Sequence, residues 1–438
     1  MKKEVLLCGL IESCYHCPMA TGPSLIFDKS TLESLSQDEA VWLDNFFITN
    51  ITPLFFIETL ADLEKEVRTG RTPEQIVGSI ARKTPDMHSQ PDAHHWQMLG
   101  LELLGLEKIV MDGRITLMSA RPVSLEGRKG LVVQKSLEQQ AFHRWQKGEF
   151  LELERQIAKA WRKNVSNVNY DQTYEFFQRW YPSGIKPKDL LDCKRLADAN
   201  IDYTDQESCL KFGLSLLRVP SASEQDIMER WRALGKPPIQ NFAPYFRHVF
   251  AVEMFFYLAV AADLISRVRP AHKADNKVDM AYLYYLPFCH AFTSNDNLHE
   301  RVVPLFLRKN QTFVKGQELK ADLSNLDAFY SALPEEVKAK GLYSFASGPP
   351  SDTSFLVTRL WDKHLPRWRR TDVPREALTP ELERALLRLV QGIQASSQCP
   401  HHAEEVSLGN PDYLQIERSV MPKKGKWVRI AQDATNRE

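Results

Sequence analysis

Two short apolar runs, far apart in the chain, each lead into an acid. Leu25-Ile26-Phe27 stops at Asp28, and the run from 288 to 293 passes through Ser294-Asn295 to Asp296. Runs so short and so apolar read as strands buried on both faces of a parallel sheet. In open α/β sheets, ligands bind beyond the carboxyl ends of the strands, which is where both acids fall. The pattern predicts an α/β fold class and marks one edge of it for chemistry.

The intervening and flanking segments fill in the rest. Ser36-Gln37-Asp38-Glu39 is a capping box that opens a helix through Trp42, Leu43, Phe46 and Phe47. A second short strand is expected at 48–54 and a helix at 55–67. Glu58 and Asp62 lie four apart on that helix and share a face. Asp279 is read as opening a helix over 278–286, where its charge meets the positive dipole end. Residues 312–314 form another short strand. Residues 1–23 read as irregular, 70–95 as loop, 114–118 and 131–133 as β-prone, and 136–163 as one long polar helix. Further helices are expected at 171–180, 187–199, 205–217, 223–234, 245–268 and 379–394. Gly235-Lys236-Pro237-Pro238 breaks one of these. The most apolar stretch, 254–262, is flanked by charges and reads as a core helix, not a membrane span.

Carboxylates gathered at one sheet edge repel one another unless a hard dication neutralises them. Mg²⁺ and Mn²⁺ prefer such oxygen ligands. Bound there, a metal activates water and stabilises the attacking and leaving oxygens of a phosphodiester. Each acid taken singly reads equally well as a helix cap or a solvated charge.

The local contexts sharpen the choice. Leu25-Ile26-Phe27-Asp28-Lys29-Ser30 resembles the first strand of the PIN-like nuclease superfamily. Phe56-Ile57-Glu58-Thr59-Leu60-Ala61-Asp62-Leu63 resembles its second acidic motif. Asp279-Met280-Ala281-Tyr282-Leu283 resembles the third, and Phe292-Thr293-Ser294-Asn295-Asp296 the fourth. The resemblance implies a three-layer α/β/α domain with a central parallel sheet. It implies Asp28, Asp62 (or Glu58), Asp279 and Asp296 as metal ligands for Mg²⁺ or Mn²⁺, and these with Glu58 as the catalytic set. Ser30, Lys277, Thr293 and Ser294 would contact substrate. The spacing departs from the family, because 216 residues separate Asp62 from Asp279. A mainly helical insertion over 96–244 is therefore expected between the two parts of the domain, 24–95 and 245–345, with a C-terminal extension at 346–438. The implied function is a metal-dependent nuclease, RNA preferred over DNA as partner. The alternative is an inactive PIN-like scaffold that binds RNA or a protein. A second copy or a regulatory protein is a further candidate partner.

Composition constrains the partner less than it first suggests. The chain carries 56 basic and 56 acidic residues. The sum hides sorting: residues 24–66 hold nine acids and two bases, 121–163 ten bases and five acids, and 359–375 six bases and two acids. Basic arms beside an acidic pole suit a nuclease. Within 359–375, Trp361 and Trp368 read either as base-stacking groups or as packing of a terminal helix. Seven cysteines fit a reduced, cytoplasmic setting. Cys14-Tyr15-His16-Cys17 has the gap of a zinc knuckle, with Cys399 and His401 as remote partners, but no second Cys-x-x-Cys exists and structural zinc is not expected. Phosphate-loop, dinucleotide, zincin and serine-hydrolase motifs are absent.

Overall fold

The computed structural model describes residues 4–9, 22–61, 70–86, 89–91, 93–114, 120–125, 128–133, 136–157, 160, 187–203, 205–265, 270–369, 413–418 and 420–429. It is a mixed α/β structure. Four strands form a sheet from distant parts of the chain: β1 (Glu4–Gly9) pairs with β9 (Tyr413–Arg418), followed by β6 (Arg128–Val133) and β5 (Ala120–Leu125). The central sheet is built from β2 (Ser24–Phe27), β3 (Ile48–Ile51), β4 (Ser89–Pro91), β7 (Ala291–Ser294) and β8 (Thr312–Lys315). Its order is β4-β3-β2-β7-β8, and every pairing is parallel. The chain moves outward from β2 to β4, then returns beside β2 and moves out again to β8. The order reverses between β2 and β7, which makes their carboxyl ends the topological switch point.

Helices α1 (Lys29–Ser34), α2 (Gln37–Phe46), α3 (Pro53–Ala61) and α4 (Pro73–Ala81) accompany the first strands. There follow α5 (His95–Leu104), α6 (Leu137–Gln146), α7 (Leu190–Tyr203), α8 (Gln206–Leu216), α9 (Ser221–Ala233), α10 (Pro244–Ala261) and α11 (Pro270–Tyr282). After β7 come α12 (Asn297–Val302), α13 (Gly316–Ser331) and α14 (Leu356–His364). Side chains alternate across a strand, and β2 divides accordingly. Leu25 and Phe27 join a core with Trp42, Phe46, Leu319 and Trp361. Ile26 joins another with Tyr245, Phe250, Tyr282 and Phe292. The apolar stretch of α10 is buried in the second core, and no helix among the described residues is long and apolar enough to cross a membrane.

Local signals placed most of these elements. The capping box is complete: Ser36 N donates to Glu39 Oε2 at 2.6 Å, and Glu39 N donates to Ser36 Oγ at 3.1 Å. Several expectations need correction. Residues 4–9 are a strand, not irregular, because β9 supplies a partner from the other end of the chain. The helix expected over 136–163 stops at Gln146, where Lys147 caps it and Gly148 takes φ +78°. Pro287 lies within a 3₁₀ turn over Leu283–Phe288, so β7 begins only at Ala291. Asp279 does not open a helix. It sits in the last turn of α11, which already runs from Pro270, so the dipole does not favour its charge. Trp361 is 2% exposed and donates to Phe46 O, with Trp368 edge-on against it, so both are packing groups. Helices expected at 171–180 and 379–394, and Cys14, Cys17, Cys399 and His401, lie outside the described residues.

Candidate active site

The site grows from the first residue after β2. Asp28 caps α1, accepting from Thr31 N at 2.9 Å through Oδ1. Its Oδ2 accepts from Ser30 Oγ at 2.7 Å and from Ser294 Oγ at 2.6 Å. Ser294 ends β7, the neighbouring strand, and Phe27 stands in register with Thr293. The two strand ends are thus joined through one carboxylate. Asn295 adds a second link, donating from N to Ser30 Oγ at 3.2 Å and from Nδ2 to Ser30 O at 3.3 Å.

His299 completes the arrangement, and its protonation follows from proton counting. Ser294 Oγ has one proton, which goes to Asp28. It accepts from Asp296 N at 2.9 Å and lies 2.7 Å from His299 Nδ1, so Nδ1 must donate. Nε2 lies 2.8 Å from the Asp279 carbonyl, which only accepts, so Nε2 donates too. The ring is an imidazolium. Burial opposes that charge, but the close ion pair with Asp28, 3.6 Å from Nδ1, the charge of Asp279 and the hydrogen bond to the Asp279 carbonyl raise the pKa to about 9. In return, and against its own burial, Asp28 is held below the usual carboxylate range by His299, Ser294 and Ser30.

Glu58 approaches from α3 and accepts from Tyr282 Oη at 2.7 Å. Burial raises its pKa, Tyr282 opposes, and the charge of Asp279 raises it further, to about 8. Asp28 and Asp279 both contribute to this crowding, and buried Lys29 relieves part of it. Asp28, Glu58 and Asp279 therefore share one electrostatic neighbourhood. Asp296 lies at the same edge as the N-cap of α12, accepting from Leu298 N at 2.6 Å and His299 N at 3.3 Å through Oδ1. Ser30 and Ser294 hold Asp28. Thr293 is buried, its hydroxyl without a hydrogen-bond partner and its carbonyl accepting from Asp28 N. Lys277 is not with them: it pairs with buried Glu253 and lies over the Phe256 and Tyr257 rings. Asp62 lies outside the described residues. Among the described residues, no group of three or more His, Cys, Asp or Glu side chains is placed to hold a metal ion.

Sequence reading missed His299. It stands three residues after the N-cap Asp296, so the first turn of α12 carries its ring back under Ser294. A histidine in the turn after a strand-end acid was the available signal.

Two expected results follow from this geometry. Glu58 gains a proton on folding that it holds up to about 8, against 4.5 unfolded, and His299 holds one to about 9, against 6.5. Both contributions are complete at low pH and disappear as pH rises through those windows. Thermal midpoints should fall from pH 6.5 to 9, and Glu58→Gln, which needs no proton, should flatten that fall. An unchanged slope in the variant would show that Glu58 titrates normally. At Gly316, a Cβ would lie 2.5 Å from Asn295 Oδ1. Gly316→Ala should cost about 1–3 kcal/mol in denaturant unfolding by displacing Asn295; a neutral result would mean that the loop gives way freely.

Compared with known proteins, the chain matches no family model, no curated protein and no solved structure.

Proposed function

We propose that the chain is a PIN-like, metal-dependent nuclease acting on RNA, a three-layer α/β/α domain interrupted by a mainly helical insertion. The observation that carries this reading is the pairing of Asp28 with Ser294 at the switch point between β2 and β7, with Glu58 and Asp279 in the same buried field. The donor chemistry suits a hard dication: the oxygens are carboxylate oxygens, and the Glu58 pKa is raised first by burial and further by the charges of Asp279 and Asp28, a charge burden such an ion would relieve. Asp28, Glu58, Asp279 and Asp296, with Asp62 from the sequence, are the carboxylates that would have to draw together to hold it, since as placed the described ones form no ready group of three. When bound, Mg²⁺ or Mn²⁺ supplies an activated water and offsets charge on the phosphodiester oxygens.

The chain's own residues do the positioning. Ser30 and Ser294 fix the rotamer of Asp28 with two short hydrogen bonds. His299 fixes Ser294 and ties it to the end of α11, so the backbone carrying Asp279 is held against β7. Asp296 commits Oδ1 to the α12 amides.

One observation favours the second reading, an inactive scaffold that binds RNA or a protein. The His299 imidazolium already balances Asp28. Incubating the purified chain with single-stranded RNA and Mn²⁺, with and without EDTA, separates the two. The nuclease reading expects cleavage that EDTA stops. RNA binding without turnover in Mn²⁺ selects the scaffold, and cleavage that survives EDTA rejects a metal-dependent site.

A further inference from the structure

Trp96 is 52% exposed, and packing gives no reason for it. The buried residues of α5 are Met98, Leu99, Glu102 and Leu103, which form one helical face. Trp96 stands three and seven residues before Leu99 and Leu103, at the margin of that face, and it is the open first turn of the helix that leaves it exposed. Its ring stacks on His95, with centroids 5.9 Å apart and planes at 20°. His95 is itself fixed: its backbone N donates to Tyr285 Oη at 3.1 Å, and its ring packs on Tyr284 at 4.9 Å. Trp96 is thus an exposed indole on a rigid foundation.

Topology places it. β4 runs parallel to β3, β2 and β7 and ends at Pro91, four residues before α5 begins. His95 and Trp96 therefore follow a strand's carboxyl end, on the same sheet edge as Asp28 and Asp296. The end of β4 lies two strands from the end of β2, roughly 10 Å at the usual strand spacing, and Trp96 follows five residues beyond it. A short single-stranded segment spans that distance, and an exposed indole is sequence-tolerant because every base has a π-face.

We infer that Trp96, backed by His95, is the stacking platform for an unpaired base of single-stranded RNA whose scissile phosphate lies at Asp28. This rests on the nuclease reading of that site. A base inside a duplex cannot take this position, so the platform selects single strands.

The test uses the full chain in EDTA and fluorescein-labelled single-stranded oligoadenylate, read by anisotropy. Trp96→Ala should weaken binding roughly tenfold to a hundredfold, the usual range for losing one base–aromatic stack. Trp96→Phe should keep most of the affinity. In Mn²⁺ cleavage assays, Trp96→Ala should raise KM by the same factor and leave kcat at saturation unchanged. Because the side chain is exposed, thermal midpoints should match wild type, which separates lost stacking from lost folding. If wild type cleaves RNA and Trp96→Ala binds as tightly as wild type, the platform is overturned and the nuclease stands. If wild type neither binds nor cleaves RNA, both are overturned. Tighter binding of duplex RNA, or of oligodeoxyadenylate, overturns the assignment to single-stranded RNA.

Discussion

Asp28→Asn should lower Mn²⁺-dependent cleavage by about a hundredfold or more while the chain stays folded. The substitution is isosteric and keeps an oxygen to accept from Thr31 N, so the cap on α1 survives at little cost. What it loses is the charge and the Oδ2 acceptor that Ser30 and Ser294 both use. A carboxylate that binds a dication contributes several kcal/mol of electrostatic stabilisation, and an amide does not replace it. The charge that sustains the His299 imidazolium goes at the same time. Ser294→Ala should fall between, about tenfold to a hundredfold, since it removes an orienting hydrogen bond and leaves the charge. The measurement is single-turnover cleavage at saturating RNA, with circular dichroism to confirm folding. Full activity in Asp28→Asn would move the chemistry away from the β2–β7 edge.

The parts of this site that were legible in sequence are those encoded locally. Leu25-Ile26-Phe27-Asp28 carries its own strand, its own stop and its own helix cap, so these four residues suffice to place Asp28. The Ser36 capping box and the acid after β7 are equally self-contained. What was not legible depends on partners remote in the chain. Lys277 is two residues from Asp279, yet i and i+2 on a helix do not share a face, and a buried glutamate on α10 draws the lysine away. Trp361 and Trp368 have the flanking arginines of a base-stacking pair. Only the position of Phe46 on α2 shows that Trp361 is core, while Trp368 packs on Trp361 and carries Arg369 over its ring. Trp96 was missed for the complementary reason: its sequence context is that of an ordinary helix start, and its exposure at the carboxyl edge exists only once β4 joins the sheet. Glu102 is similar. It accepts from Tyr245 N and Phe246 N and so anchors the start of α10 from a position 143 residues before Tyr245.

The largest effect on stability is expected at the far end of the chain. Arg429 is 0% exposed and pairs through Nη2 with Asp44 at 2.8 Å and with Asp86. Asp44 is also 0% exposed. Around it, Lys424 Nζ donates to Thr84 O at 2.8 Å, and Trp427 donates to Asp327 at 2.7 Å and packs edge-on against Trp42. Residues 420–429 thus fasten α2 to the segment that leads from α4 into β4. Arg429→Ala takes the guanidinium from buried Asp44 and from Asp86 and leaves the Lys424 ammonium as the nearby positive charge, which costs about 3–5 kcal/mol. Arg429→Met combined with Asp44→Asn should recover part of the loss, because the penalty lies in the unpaired charge rather than in the pair itself. Urea unfolding reads both. Equal midpoints for Arg429→Ala and wild type would mean that the ion pair carries no weight. Because β4 leads to His95 and Trp96, loosening this clamp should also blunt the oligoadenylate affinity proposed for Trp96, while the cleavage proposed at the β2–β7 edge should persist at saturating RNA.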